Sequence, residues 1–107
     1  MMHHIDLGYE FQSGRTTIML ATLVGLGETG TLYVTFSQQN AAWARARSKH
    51  RVRCIGAGAF VREIGYWLSS IEYLALDDVH SWRNDLREEA MVTIMRERPL
   101  KLLMLAH

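Results

Sequence analysis

The sequence predicts an α/β fold: a three-layer domain in which a parallel sheet of about four strands carries helices on both faces. Three observations predict it. Short stretches rich in β-branched and aromatic residues alternate with helical stretches, without interruption, from residue 16 onward. The short stretches are apolar, as strands covered by helices on both faces of a parallel sheet must be. No series of hairpins and no all-helical pattern competes with this reading.

The elements follow in order. Residues 16–27 read as a helix in which Ile18, Met19, Leu20, Ala21, Leu23, Val24 and Leu26 leave almost no polar side, so a buried helix is expected. Gly25, Gly27 and Gly30 end it and turn the chain. "TLYVTF" (31–36) is a strand, and "SQQNAAWARARSK" is a helix with a polar start. "RVRCIGAG" (51–58) reads as the next strand, and "FVREIGYWLSS" (60–70) as a helix with Phe60, Ile64, Trp67 and Leu68 on one side. "IEYLALDD" (71–78) is a strand that ends in two carboxylates. The stretch 81–98 is an amphipathic helix, with Ser81 or Asn84 available to cap it and Pro99 to stop it. "LKLLMLA" (100–106) is the last strand.

At 107 residues the chain is sized for one domain, 1–107, with one core. An apolar fraction of 49% beside 21% charged residues is too apolar for disorder. The formal charge of +1 does not by itself call for a nucleic-acid partner. No apolar run reaches the length of a membrane span, and "MMHHIDLGYE" lacks the pattern of a secretory signal. The single cysteine, Cys54, lies in an apolar stretch and suits a reducing interior. A cytoplasmic protein without membrane contact is expected.

Two stretches carry chemistry. "QSGRTTIMLATLV" (12–24) brings a small-residue turn, a cation and two hydroxyls to the start of a helix. A helix start offers unpaired N–H groups and a positive dipole end, both of which favour an anion. Ser13, Gly14, Arg15, Thr16 and Thr17 are therefore candidate phosphate-binding residues. The second stretch is the acid pair. In an open α/β sheet ligands sit at the carboxyl ends of the strands, where Asp77 and Asp78 fall. Thr16 or Thr17 would offer a hydroxyl to Mg²⁺, and Asp77 would hold that metal through water. Asp78 is placed to polarise an attacking water. Gln38, just after the 31–36 strand, is a candidate sensor of a γ-phosphate or of a bound strand.

This order of parts resembles the P-loop NTPases of the additional-strand class, to which helicases, terminases and RecA-like proteins belong. More narrowly it resembles small phage-encoded P-loop proteins that begin close to a "GRTT" sequence. "SGRTT" is similar to the end of their Walker A motif, "YLALDD" to their Walker B strand, and "LKLLMLAH" to the strand that follows and ends at a sensor position. The resemblance implies bound Mg²⁺ and ATP and, for a phage protein, residence in the host cytoplasm. The Walker A motif is degenerate. Gly8 and Gly14 are one residue further apart than G-x-x-x-x-G-K-[ST] requires, and Arg15 stands where lysine is expected. An arginine fork fits a tight phosphate loop less well than a point-charge ammonium. The reading is thus nucleoside triphosphate binding with weak hydrolysis or none. The alternative is a nucleotide-free interaction protein that keeps the fold and binds a host or phage protein or nucleic acid.

Plainer readings stand beside these. Gly14–Thr17 also reads as a capped helix start, and Asp77–Asp78 as solvated acids at a strand end. Arg45, Arg47, Lys49 and Arg51 are candidate nucleic-acid contacts, giving weak and salt-sensitive binding, or else cations solvated at a helix C-terminus. The tryptophans read as core or interface anchors, with Trp82, in the loop after the acid pair, the exception to watch. The strand before the phosphate loop has only "HHIDL" to be made from. Laid on the family's sheet as read here, the order is 51–55, 31–36, 71–77, a central slot for that strand, then 100–105. Three arrangements satisfy the strands that flank the slot. "HHIDL" fills it, the sheet closes with 71–77 pairing 100–105, or a second protomer covers an open edge in a homodimer. Closure is favoured, because Met2–Leu7 offers few apolar residues for a position buried on both faces; it would shift the phosphate loop off its usual strand, weaken nucleotide binding and so favour the interaction-protein alternative.

Overall fold

The computed structural model describes residues 2–8, 14–27, 29–97 and 100–107. Ser13 of the expected phosphate loop and the expected stop at Pro99 lie outside them. The order of elements is β1 (His3–Asp6), α1 (Arg15–Leu26), β2 (Thr31–Thr35), α2 (Gln38–Arg47), β3 (Cys54–Gly56), α3 (Ala57–Arg62), α4 (Ile64–Ser70), β4 (Tyr73–Leu76), a single 3-10 turn (Val79–Ser81), α5 (Asn84–Glu97) and β5 (Leu102–Leu105). Five strands form one parallel sheet in the order β1-β5-β4-β2-β3. The α/β class is as expected. The strand count is five rather than four, because "HHID" pairs.

β4 pairs directly with β5, Tyr73 opposite Leu102 through Leu76 opposite Leu105. The central slot does not exist. β1 instead lies outside β5, with His3 opposite Leu102 and Asp6 opposite Leu105. All four of its residues are exposed. A polar segment cannot occupy a position buried on both faces, but it can continue the ladder at an edge, where water solvates its side chains.

Alternation along the strands builds the three layers. Leu32 and Val34 of β2, Leu74 and Leu76 of β4, and Leu103 and Leu105 of β5 face α3, α4 and α5. Tyr33, Ala75 and Met104 point the other way, into a smaller cluster with Met19, Leu20 and Leu23 of α1 and Ala41 and Ala44 of α2. Each large apolar side chain so buried contributes about 1.5–3 kcal/mol of transfer free energy. α1 covers one face only, so Ile18 and Leu26 remain exposed despite the apolar sequence. The expected 60–70 helix is two helices. Glu63 departs from helical geometry between α3 and α4, and α3 already begins at Ala57, which leaves β3 only three residues.

Gly56 marks the closest approach of two segments. A Cβ there would stand 3.0 Å from the Gln38 nitrogen and 3.0 Å from the Ser37 carbonyl carbon, so the end of β3 packs against the start of α2 without a side chain between them.

Candidate functional site

The sheet brings the two chemical stretches together. Gly14 precedes α1 in the left-handed conformation (φ 65°), which glycine adopts without steric cost. The turn aims the first residues of α1 at the carboxyl end of β4. There Thr16 Oγ1 donates a hydrogen bond to Asp77 Oδ2 at 2.5 Å. Asp77 is 2% exposed and heavily engaged. Tyr33 Oη donates to the same oxygen at 2.5 Å, and the Asp78 backbone N–H donates to Oδ1 at 2.9 Å. Trp82 Nε1 donates to the Asp77 carbonyl at 2.9 Å.

Tyr33 reaches Asp77 because its neighbour is small. It lies opposite Ala75 in the β2–β4 register, on the side of the sheet that Asp77 shares two residues later. Burial and the adjacent carboxylate both hold the Tyr33 phenol above its ordinary range, burial being the larger cause, so it remains a donor.

Above this cluster is an open cavity of about 200 Å³, bounded by Gly14, Arg15, Thr16 and Thr17 of the α1 start, by Asp77 and Asp78, and by Arg47 of α2. Arg15 donates to the Gly8 carbonyl at 2.5 Å, and the same carbonyl accepts the His107 N–H at 2.8 Å. The segment after β1 is thereby tied to the end of β5. Asp78 takes a left-handed backbone (φ 51°, ψ 39°), which short polar residues tolerate. Its carboxyl accepts no hydrogen bond among the described residues. Partial burial raises its pKa first, the Asp77 charge raises it further, and Arg15 opposes them.

The structure thus gathers Gly14, Arg15, Thr16, Thr17, Asp77 and Asp78 around one cavity. Gln38 is engaged elsewhere: its Oε1 accepts the Gly56 N–H at 2.9 Å, and it does not line the cavity. The four basic residues take different hydrogen-bond partners, although Arg47, Lys49 and Arg51 share a groove beside the cavity. Arg45 donates to the Cys54 carbonyl at 2.6 Å. Arg47 donates to Thr17 Oγ1 and lies 4.8 Å from the centre of the exposed Trp43 ring. Lys49 and Arg51 line a neighbouring groove against Leu20, Ala21 and Val24 of α1. Trp82 is buried and acts as an anchor for the acid pair, not as an exposed stacking platform. Two residues of the constellation escaped the sequence reading in these roles. Tyr33 had one signal, since a tyrosine inside a buried strand needs a hydroxyl partner. Arg47 had none, because nothing local to residue 47 points at residue 17.

No family model matches the chain, and no curated protein matches it.

A divalent metal is implied by the resemblance, and the donor set can be tested against it. Thr16 and Asp77 supply hard oxygen donors, which suit Mg²⁺ rather than a softer ion. Among the described residues no three His, Cys, Asp or Glu side chains gather to hold a metal. Thr35 Oγ1, on β2 two residues beyond Tyr33, is buried without a hydrogen-bond partner among the described residues.

Proposed function

We propose that the chain binds a Mg²⁺-complexed nucleoside triphosphate at this edge of the sheet, with weak hydrolysis or none. The observation that carries the reading is the hydrogen bond from Thr16, at the start of α1, to Asp77, at the end of β4. A hydroxyl on a phosphate-binding helix and a carboxylate on a neighbouring strand, joined this way, are the pair a P-loop protein uses around its metal. The strand order departs from the one laid on the family above, because β5 lies between β1, which leads into the helix, and β4, which carries the acids. What supports the reading is that the sheet still brings the start of α1 to the end of β4.

On this reading the α1 N–H groups and Arg15 hold phosphate, and Thr16 and Asp77 hold the metal, which would shield phosphate charge. Asp78, whose carboxyl accepts no hydrogen bond among the described residues and whose pKa is raised by burial, receives a water. Turnover is slow because Arg15 is braced on Gly8 and no lysine follows Gly14. Calorimetry with Mg-ATP and Mg-GTP tests the reading. Binding that weakens in Arg15→Ala and Asp77→Ala supports it; no heat and no thermal shift at millimolar nucleotide removes it.

The interaction-protein alternative also has an observation in its favour. β1 is a fully exposed edge strand, and Ile5 on it and Ile18 on α1 are exposed apolar residues. A host or phage protein or a second copy would be the occupant of such an edge.

A further inference from the structure

We propose that Arg47 is the second phosphate cation of the site and sets its preference for triphosphate over diphosphate. The inference rests on the nucleotide-binding reading above and extends it to a residue outside both motifs.

Charge makes the first argument. The cavity holds two carboxylates, Asp77 and Asp78, and from the α1 start a single cation, Arg15. With Arg15 alone the protein wall carries one more negative than positive charge, which a metal held by Thr16 and Asp77 would offset beside those two residues. Arg47 brings the count to two against two. Neither guanidinium has a carboxylate within ion-pair distance among the described residues, so neither is held in an ion pair.

Position makes the second argument. Arg15 is tied to Gly8, which follows β1, whereas Arg47 comes from α2, which packs against β2 and β3. In the order β1-β5-β4-β2-β3 the two cations therefore approach from opposite sides of β4, the strand that delivers the acids. Phosphates spread across that edge meet Arg15 on one side and Arg47 on the other. A shorter chain held by the α1 start and Arg15 leaves Arg47 without a phosphate.

Preorganisation makes the third. The Arg47 guanidinium is held by Thr17 Oγ1 and by the Trp43 ring beneath it. Both contacts are weak beside a guanidinium–phosphate pair, so they hold the side chain at the cavity without competing with the ligand.

The test is calorimetry at fixed salt with Mg²⁺ and either a non-hydrolysable ATP analogue or ADP, on wild type, Arg47→Ala, Arg47→Lys and Arg51→Ala. Loss of a charge-assisted contact predicts that Arg47→Ala weakens the triphosphate roughly 10- to 100-fold and the diphosphate by less than about threefold. Arg47→Lys recovers part of the loss, and Arg51→Ala changes either ligand by less than about threefold, as a solvent-screened charge outside the cavity lining should. Equal losses for both ligands, an unchanged preference in Arg47→Ala, or an equal effect of Arg51→Ala overturns the role of Arg47 while leaving nucleotide binding in place. A wild type that binds neither ligand overturns the nucleotide reading and this inference with it. Thermal melts of each variant show that the fold is retained, as expected for an exposed residue.

Discussion

Thr16 and Asp77, 61 positions apart, are joined by a 2.5 Å hydrogen bond, and Tyr33 donates to the same carboxylate oxygen. One buried carboxylate thus ties α1, β2 and β4 together at the edge where a ligand would sit. The arrangement predicts that residues needed for binding also carry stability.

Asp77→Ala should destabilise the fold by about 1–3 kcal/mol, because it strands the buried Tyr33 hydroxyl. Thr16→Val, which removes one donor and leaves Tyr33 paired, should cost about 1 kcal/mol or less. Urea denaturation of the two variants measures both. Equal costs would mean that Tyr33 and Asp77 are not coupled.

Tyr33→Phe should cost about 1 kcal/mol and lower metal-dependent nucleotide affinity, because Asp77 loses a positioning donor. The phenol has a second consequence. Its pKa is raised on folding, so the folded state keeps a proton that the unfolded chain releases. Stability from this group is complete below pH ~10, the unfolded value, and falls as pH rises above it. Wild type should lose stability faster than Tyr33→Phe above that pH. Parallel alkaline melting curves would count against the burial of this hydroxyl.

Asp78→Asn should stabilise the protein at neutral pH and abolish any hydrolysis. The Asp78 pKa is raised, so the folded state disfavours its charge. The stabilising contribution of this group is present below the ordinary carboxyl range and is lost as pH rises through the raised value. Asparagine removes the charge and tolerates the left-handed backbone equally well. Melting temperatures of wild type and variant should converge at acid pH and separate at neutral pH; a variant less stable at neutral pH would contradict the assignment.

Acid should loosen β1 before the rest of the sheet. The Gly8 N–H and the side chain of His107, 3.0 Å from Asp6 Oδ2, lower the pKa of Asp6, the last residue of β1. A lowered carboxyl pKa contributes stability above the unfolded value, lost as pH falls through the folded value. Amide exchange followed by NMR should show β1 losing protection relative to β4 as pH drops below ~4, and Asp6→Asn should show that loss already at neutral pH. Uniform protection across the sheet would argue against this local tie.

Gly56→Ala should cost about 1–3 kcal/mol, because the added methyl meets the backbone of Ser37 and Gln38 rather than a movable side chain. Chemical denaturation checks it, and a neutral result would mean that α2 can shift away from β3.

The sequence by itself determined the α/β class, the succession of strands and helices, and the two stretches that meet at one edge. These are local properties. Apolar periodicity marks each element, Gly14 places a turn before α1, and a strand that ends in two acids presents them wherever the sheet ends. Only the tertiary structure decided which strands are neighbours and which distant side chains complete the site. β1 went to the edge because its polar residues could be solvated there, a choice that depends on what the other four strands bury. Tyr33 and Arg47 entered the site from 44 and 30 positions away from their partners Asp77 and Thr17. Their roles depend on a small residue at Ala75, which lets the phenol cross a neighbouring strand, and on the packing of α2, which brings a guanidinium to the start of α1. Such conditions are set between elements, and no pattern within one element records them.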